Sequence, residues 1–250
     1  MNTTPTPATT GTRPAVPPIA GRDAWLTARN KLLTREKAHT REGDAIAAAR
    51  RRLPMTEVDA NAVLVGTQGP TPFIDLFQGR EQLIAYKHMW HSGEPIQDQC
   101  PGCTLSIWNV QDVSYLHARG VAFAVCCEGP WDEVGPFVDF MGYTVPWYST
   151  HGVSDEAVAG GLSDDRSLIC CYLRVGERVY LTNDIPFRGM EAIMPMLKLL
   201  DMTVFGRQES WEDSPAGWPQ PDDSGSWWSR DGRPVAQWTR PGATRVNPGG

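Results

Sequence analysis

A chain of 250 residues, 41% of them apolar, is long enough for one large cored domain or two small ones. Its net charge of -6 comes without a basic block, which argues against nucleic acid or an anionic membrane surface as a partner. With no apolar run of about 18 residues and no apolar signal core near Met1, neither a membrane span nor a secretory signal is expected, and the expected compartment is the cytoplasm.

Residues 1–21, crowded with Thr and Pro, cannot build a core and read as a tail. From Asp23, a candidate N-cap, the Ala-, Leu-, Arg-, Lys- and Glu-rich run to Leu53 predicts one long or broken helix that Pro54 stops. Arg50-Arg51-Arg52 would complement the dipole at its solvated end. Residues 62–65 and 68–70 read as strand and turn, 73–77 as a packed connector, and Leu83-Ile84-Ala85-Tyr86 as a strand. That strand leads to Gln99-Cys100-Pro101-Gly102-Cys103-Thr104, and a helix is predicted over 104–119, ended by Gly120.

The run 121–127 is apolar throughout, as in a strand buried on both faces of a mixed or parallel sheet. A helix over 131–141, stopped by Gly142, precedes a short strand at 145–148 whose Pro146 suits a strand start. Residues 150–166, rich in Gly, Ser and Asp, predict a surface loop over the site, and 167–174 with 178–182 the two arms of a hairpin. Met190, Ile193, Met196, Leu197 and Leu200 predict an amphipathic core helix over 189–201. From residue 210 to 250 five tryptophans stand among Pro, Gly, Ser and Asp, the pattern of an arm anchored on the domain or on a second copy in a homodimer.

The six cysteines fall as Cys100/Cys103, Cys126-Cys127 and Cys170-Cys171. The last two pairs sit inside strand-like runs and read as small buried hydrophobes. The first differs: two thiols three positions apart, where a strand hands over to a helix, let one sulfur be acidified by the helix terminus while the other closes a disulfide. Cys100, at the outer edge, is the expected nucleophile toward a disulfide or peroxide-type bond, and Cys103 the resolving thiol. Trp90, Trp108, Pro146 and Trp147 are candidates to wall the pocket beside the sulfurs. A competing reading joins His88 and His91 to Cys100 and Cys103 as a zinc or copper ligand set, with haem as a further His-bound alternative. His88 and His91 converge only if the strand has ended by Trp90. His39, His117 and His151 read as exposed. A third reading makes the pair a brace and the tryptophan-rich arm a binder of a small aromatic molecule.

Strand–helix–strand–helix–hairpin–helix, with the Cys pair at the first strand-to-helix turn, is the order of a thioredoxin-type α/β layer, a central mixed sheet with helices on both faces. The segments Arg35-Glu36-Lys37 to Arg52-Leu53-Pro54, Phe77-Gln78-Gly79-Arg80-Glu81-Gln82-Leu83-Ile84, Cys100-Pro101-Gly102-Cys103, Leu116-His117-Ala118-Arg119-Gly120-Val121, Met141-Gly142-Tyr143-Thr144-Val145-Pro146-Trp147-Tyr148-Ser149 and Arg188-Gly189 to Leu199-Leu200-Asp201 occur in that order. Over residues 22–209 they resemble the bacterial thioredoxin-like family called domain of unknown function 899, near the AhpC/TSA peroxiredoxin-like branch. The resemblance implies a thioredoxin-like fold and a disulfide oxidoreductase role. Two departures stand out. The cis-proline that redox thioredoxins place opposite the Cys pair would fall near Asp164-Asp165-Arg166, where there is no proline, and Gln97 stands where a peroxiredoxin has a Thr three residues before its cysteine.

Overall fold

The computed structural model describes residues 16–160, 167–219, 229–230 and 233–238. Its first element is a 29-residue helix, α1 (Arg22–Arg50), which ends three residues short of the predicted Leu53. The N-cap is Gly21, not Asp23; Asp23 lies in the first turn, where its carboxylate faces the positive end of the dipole. None of the helix is buried.

The strands β1 (Thr56–Val58), β2 (Val63–Gly66), β3 (Gly69–Pro72), β4 (Gln82–His88), β5 (Val121–Cys127), β6 (Trp147–Ser149), β7 (Ser167–Val175) and β8 (Arg178–Pro186) form one sheet in the order β1-β8-β7-β4-β5-β6-β2-β3. β4 pairs in parallel with β5 from Gln82↔Val121 to His88↔Cys127, and antiparallel with β7 on its other side. Between β4 and β5 the chain crosses over through α2 (Pro101–Trp108) and α3 (Ser114–Ala118); α4 (Trp131–Met141) links β5 to β6. With the β7–β8 hairpin and a final helix, α6 (Pro195–Leu200), this is the expected strand–helix–strand–helix–hairpin–helix order, and the layer is thioredoxin-like. No described helix is long and apolar enough to cross a membrane.

A parallel pair covered on both faces explains why β4 and β5 read as unbroken apolar runs. Alternation along them divides the core in two. Ala85, Ala122, Ala124 and Cys126 face one side with Leu64, Phe73, Phe77, Cys170 and Tyr172. Tyr86, Phe123, Val125 and Cys127 face the other with Cys100, Cys103, Phe137 and Trp147.

Three predicted elements come out differently. The helix over 104–119 starts earlier, at Pro101, and stops at Trp108; α3 is separate. The Asp112 carboxylate accepts the Ser114 N–H at 2.8 Å, a local bond that offers the backbone an alternative to a continued helix. The helix over 189–201 is a 3-10 turn (Phe187–Ile193) followed by α6, because Pro195 brings no N–H and bars the residue before it from helical dihedrals. Met194 and Leu197 are buried there, whereas Met196 and Leu200 of the expected stripe are exposed. The loop at 150–166 contains a short helix, α5 (Glu156–Ala159), capped by Asp155. Its Ala157 and Val158 enter the core on the side away from Cys100 and Cys103, so this part of the loop does not overlie the pair. His39 and His151 are exposed as expected, while His117 is half-buried.

Candidate functional site

β4 ends at His88, and residues 89–100 carry the chain to α2. Gln99, almost wholly buried, organises that connection: its amide nitrogen donates to the carbonyls of His91 (2.9 Å) and Glu94 (3.1 Å), and its carbonyl accepts the His91 N–H at 3.0 Å. Pro101 then takes the first helical position, where a missing N–H costs nothing and φ is already set. Cys100 becomes the N-cap residue, its sulfur accepting the Cys103 N–H at 3.4 Å. The Thr104 hydroxyl donates to the Cys100 carbonyl at 2.8 Å, and the Ser106 hydroxyl to the Gly102 carbonyl at 2.8 Å, pinning the first turn.

The two sulfurs therefore sit in one turn with opposite electrostatics. The Cys103 thiol donates to Cys100, and with the backbone N–H groups of Cys103 and Gly102 and the charge of His91 it outweighs burial, bringing the Cys100 pKa down to about 6. Cys103 shifts well up, because the neighbouring Cys100 holds its proton in place and because it is buried. Both are free thiols. Cys100 is 8% exposed and Cys103 1%, so Cys100 is the outer of the two sulfurs but is far less open than a loop-borne thiol.

The predicted tryptophans do gather beside the pair. Trp90 and Trp147 share the core cluster of Cys100 and Cys103, and Trp108 packs on its edge. Rings run from Trp108 to Tyr143 (6.4 Å), from Tyr143 to Trp147 (5.0 Å, stacked) and from Trp147 to His88 (5.0 Å), with Phe137 among them. Trp90 donates to Glu133 at 2.8 Å and lies so close over Gly129 that a Cβ there would meet its ring at 2.3 Å. Pro146 is half-buried ahead of β6, where its carbonyl accepts the Val125 N–H. Asp164-Asp165-Arg166, where the cis-proline position is expected, lie outside the described residues.

The histidines behave differently from one another. The strand does end before Trp90, yet His88 turns into the aromatic core: Nδ1 bonds the Met89 carbonyl at 2.7 Å and lies 4.0 Å from Cys127 Sγ, while Nε2 is buried with no partner among the described residues. Burial brings its pKa down to about 4, so it is neutral. His91 is exposed, with Nδ1 on the Asp98 carbonyl. Among the described residues no three His, Cys, Asp or Glu side chains converge as metal ligands, and His88, His91, Cys100 and Cys103 do not meet as one set.

Several residues at the site carry no sequence signal that singles them out. Tyr86 shares the strand face of His88 and reaches the sulfurs, though in sequence it is one of four apolar strand residues. From the C-terminal region, β10 (Arg233–Pro234) pairs with β9 (Ser229–Arg230) and leads into the turn Val235–Trp238, whose Ala236 joins the core cluster of the two cysteines. Gln237, 3% exposed, donates to the Ile96 carbonyl at 2.8 Å, and the Arg233 guanidinium lies over Phe140 and Trp238. The expected arm thus anchors on the domain through this segment; Trp211 lies under Arg188 and Trp218 against Phe205, whereas Trp227 and Trp228 lie outside the described residues.

A comparison with curated proteins gives no match. Among solved structures, a secreted Mycobacterium tuberculosis disulfide oxidoreductase homologous to E. coli DsbE aligns with 57% of this chain and 98% of its own, at 10% identity and a TM-score of 0.34. The peroxidoxin BcpB of Mycobacterium tuberculosis aligns with 58% of this chain and 89% of its own, at 14% identity and a TM-score of 0.37. The bacterioferritin comigratory protein of Xanthomonas campestris aligns with 59% and 96%, at 13% identity and 0.39. Residues 14–233 match the model of the family described as bacterial protein of unknown function, DUF899, and the chain belongs to that family.

Proposed function

We propose that this protein is a thiol-disulfide oxidoreductase working through Cys100 and Cys103. The observation that carries this reading is the cap itself: the Cys100 sulfur accepts the Cys103 N–H at the head of α2 at 3.4 Å. A sulfur held so is largely thiolate at pH 7, and the thiolate is the attacking species. It displaces one sulfur of a substrate disulfide, forming a mixed disulfide on Cys100 and releasing the other half as a thiolate. Cys103 then gives up its proton to that thiolate and attacks the Cys100 sulfur, expelling the second half. The products are the Cys100–Cys103 disulfide and a reduced substrate, and a dithiol donor must restore the resting pair. The chemistry needs no cofactor.

The test is reduction of a small disulfide by the purified, reduced chain. Cys100→Ser is expected to lower the rate by about 10³-fold or more, and Cys103→Ser to stop the reaction at a mixed disulfide visible by mass. A Cys100→Ser protein with undiminished activity overturns the reading.

A further inference from the structure

The resolving step contains a difficulty. Cys103 must pass through a thiolate while 1% exposed, in a pocket that otherwise favours its protonated form. An unsolvated anion in an apolar core is expensive unless donors are already aimed at it. Tyr86 meets that need. It is 0% exposed, its hydroxyl makes no hydrogen bond of ordinary geometry among the described residues, and the groups that hydroxyl faces are Cys103 and Ser106.

A buried hydroxyl with no partner is a cost the fold would avoid by having phenylalanine there. Burial keeps it protonated, hence always a donor. The Ser106 hydroxyl is already engaged with the Gly102 carbonyl, and Tyr143, the other tyrosine beside the pair, donates to the Thr104 carbonyl. Among the described residues nothing accepts from Tyr86, so its hydroxyl is an unspent donor on the strand that precedes the pair.

We infer that Tyr86 is a positioning residue for the second half-reaction, its hydroxyl donating to the Cys103 sulfur as that sulfur becomes a thiolate and attacks Cys100. The inference rests on the oxidoreductase reading and deepens it. The tyrosine keeps its proton throughout; the Cys103 proton leaves to the thiolate released in the first step, and the bond broken is that between Cys100 and the substrate sulfur. Met89, whose backbone N–H also bears on Cys103, supplies a second donor.

The experiment is a two-phase assay on the full chain with the chromogenic disulfide 5,5′-dithiobis(2-nitrobenzoate). Attack by Cys100 releases the first coloured thiolate, and closure by Cys103 releases the second. Tyr86→Phe keeps the ring and its packing. Its first phase is expected within twofold of the parent, while the second slows about tenfold or more at pH 7, the loss expected for one hydrogen bond to a charged group, and its rate–pH limb moves to higher pH. An unchanged second phase overturns the assignment. So does a variant that fails to fold or melts well below the parent, since the hydroxyl would then be holding the resting structure. If the unmutated protein shows no first phase, the oxidoreductase reading itself fails, and this assignment with it.

Discussion

Cys100 and the strand cysteines are the same residue type in the same sheet-centred core, yet their protons are held in opposite ways. Cys126 and Cys127 occupy the last two positions of β5, and Cys170 sits inside β7 against the partner strand β4. There burial dominates, pushing Cys127 up to about 12 and Cys170 up to about 11. Cys100 is also buried, but the Cys103 thiol beside it and then the N–H groups of Cys103 and Gly102, unspent where the helix begins, bring its pKa to about 6. The lesson is that burial alone does not make a cysteine inert. What surrounds the sulfur with donors decides: the Gly129 and Glu128 N–H groups near Cys127 do not offset its burial, whereas the Cys103 thiol and the N–H groups at the head of α2 outweigh that of Cys100.

One way to break the comparison is to ask whether the strand thiols do more than pack. Cys126→Ser places a hydroxyl in a fully buried apolar site, and is expected to cost about 1–3 kcal/mol of stability in denaturant unfolding while leaving disulfide reduction per folded molecule unchanged. A loss of activity larger than the loss of folded protein would make Cys126 part of the machinery.

A smaller effect sharpens the other side. The Val235–Trp238 turn packs on α2 and is tied to the Ile96 carbonyl by Gln237. Gln237→Ala removes that tie and loosens the covering of the Cys100 helix. Alkylation of Cys100 is then expected to speed up by a few fold, with the buried strand cysteines Cys126, Cys127 and Cys170 still protected until the protein unfolds. No change in rate would show that the segment does not limit access.

The sequence makes the central part of this architecture legible. Apolar runs at β4 and β5, the turn chemistry around 142 and 176, and a Cys-x-x-Cys before a helical segment are local signals, and each reports on a few neighbouring residues. What escapes is set by competition or by distance along the chain. Past the end of α2 at Trp108, Asp112 holds the Ser114 N–H in a local bond where the predicted helix would continue, and Pro195 divides another, because a single side chain outweighs a weak propensity. The contact of Ala236 and Gln237 with the cysteine helix joins residues more than a hundred positions apart, and no local pattern encodes it. Tyr86 escapes for a third reason: as one of four apolar strand residues it reads as core, and only the fold reveals a buried hydroxyl beside Cys103 with no hydrogen bond of ordinary geometry among the described residues.

The most direct test of the account is the ionisation of Cys100 in the reduced protein, followed as the rate of iodoacetamide alkylation at that residue against pH. A midpoint near 6 is expected, with Cys127 and Cys170 unmodified across the range. The same shift fixes the sign of a stability change. A thiol pKa lowered on folding adds stability above the unfolded value of about 9, and that stability is lost as pH falls toward 6, with a slope of up to about 1.4 kcal/mol per pH unit that Cys100→Ala removes. A Cys100 midpoint at 8.5 or above, the ordinary thiol range, would contradict the account.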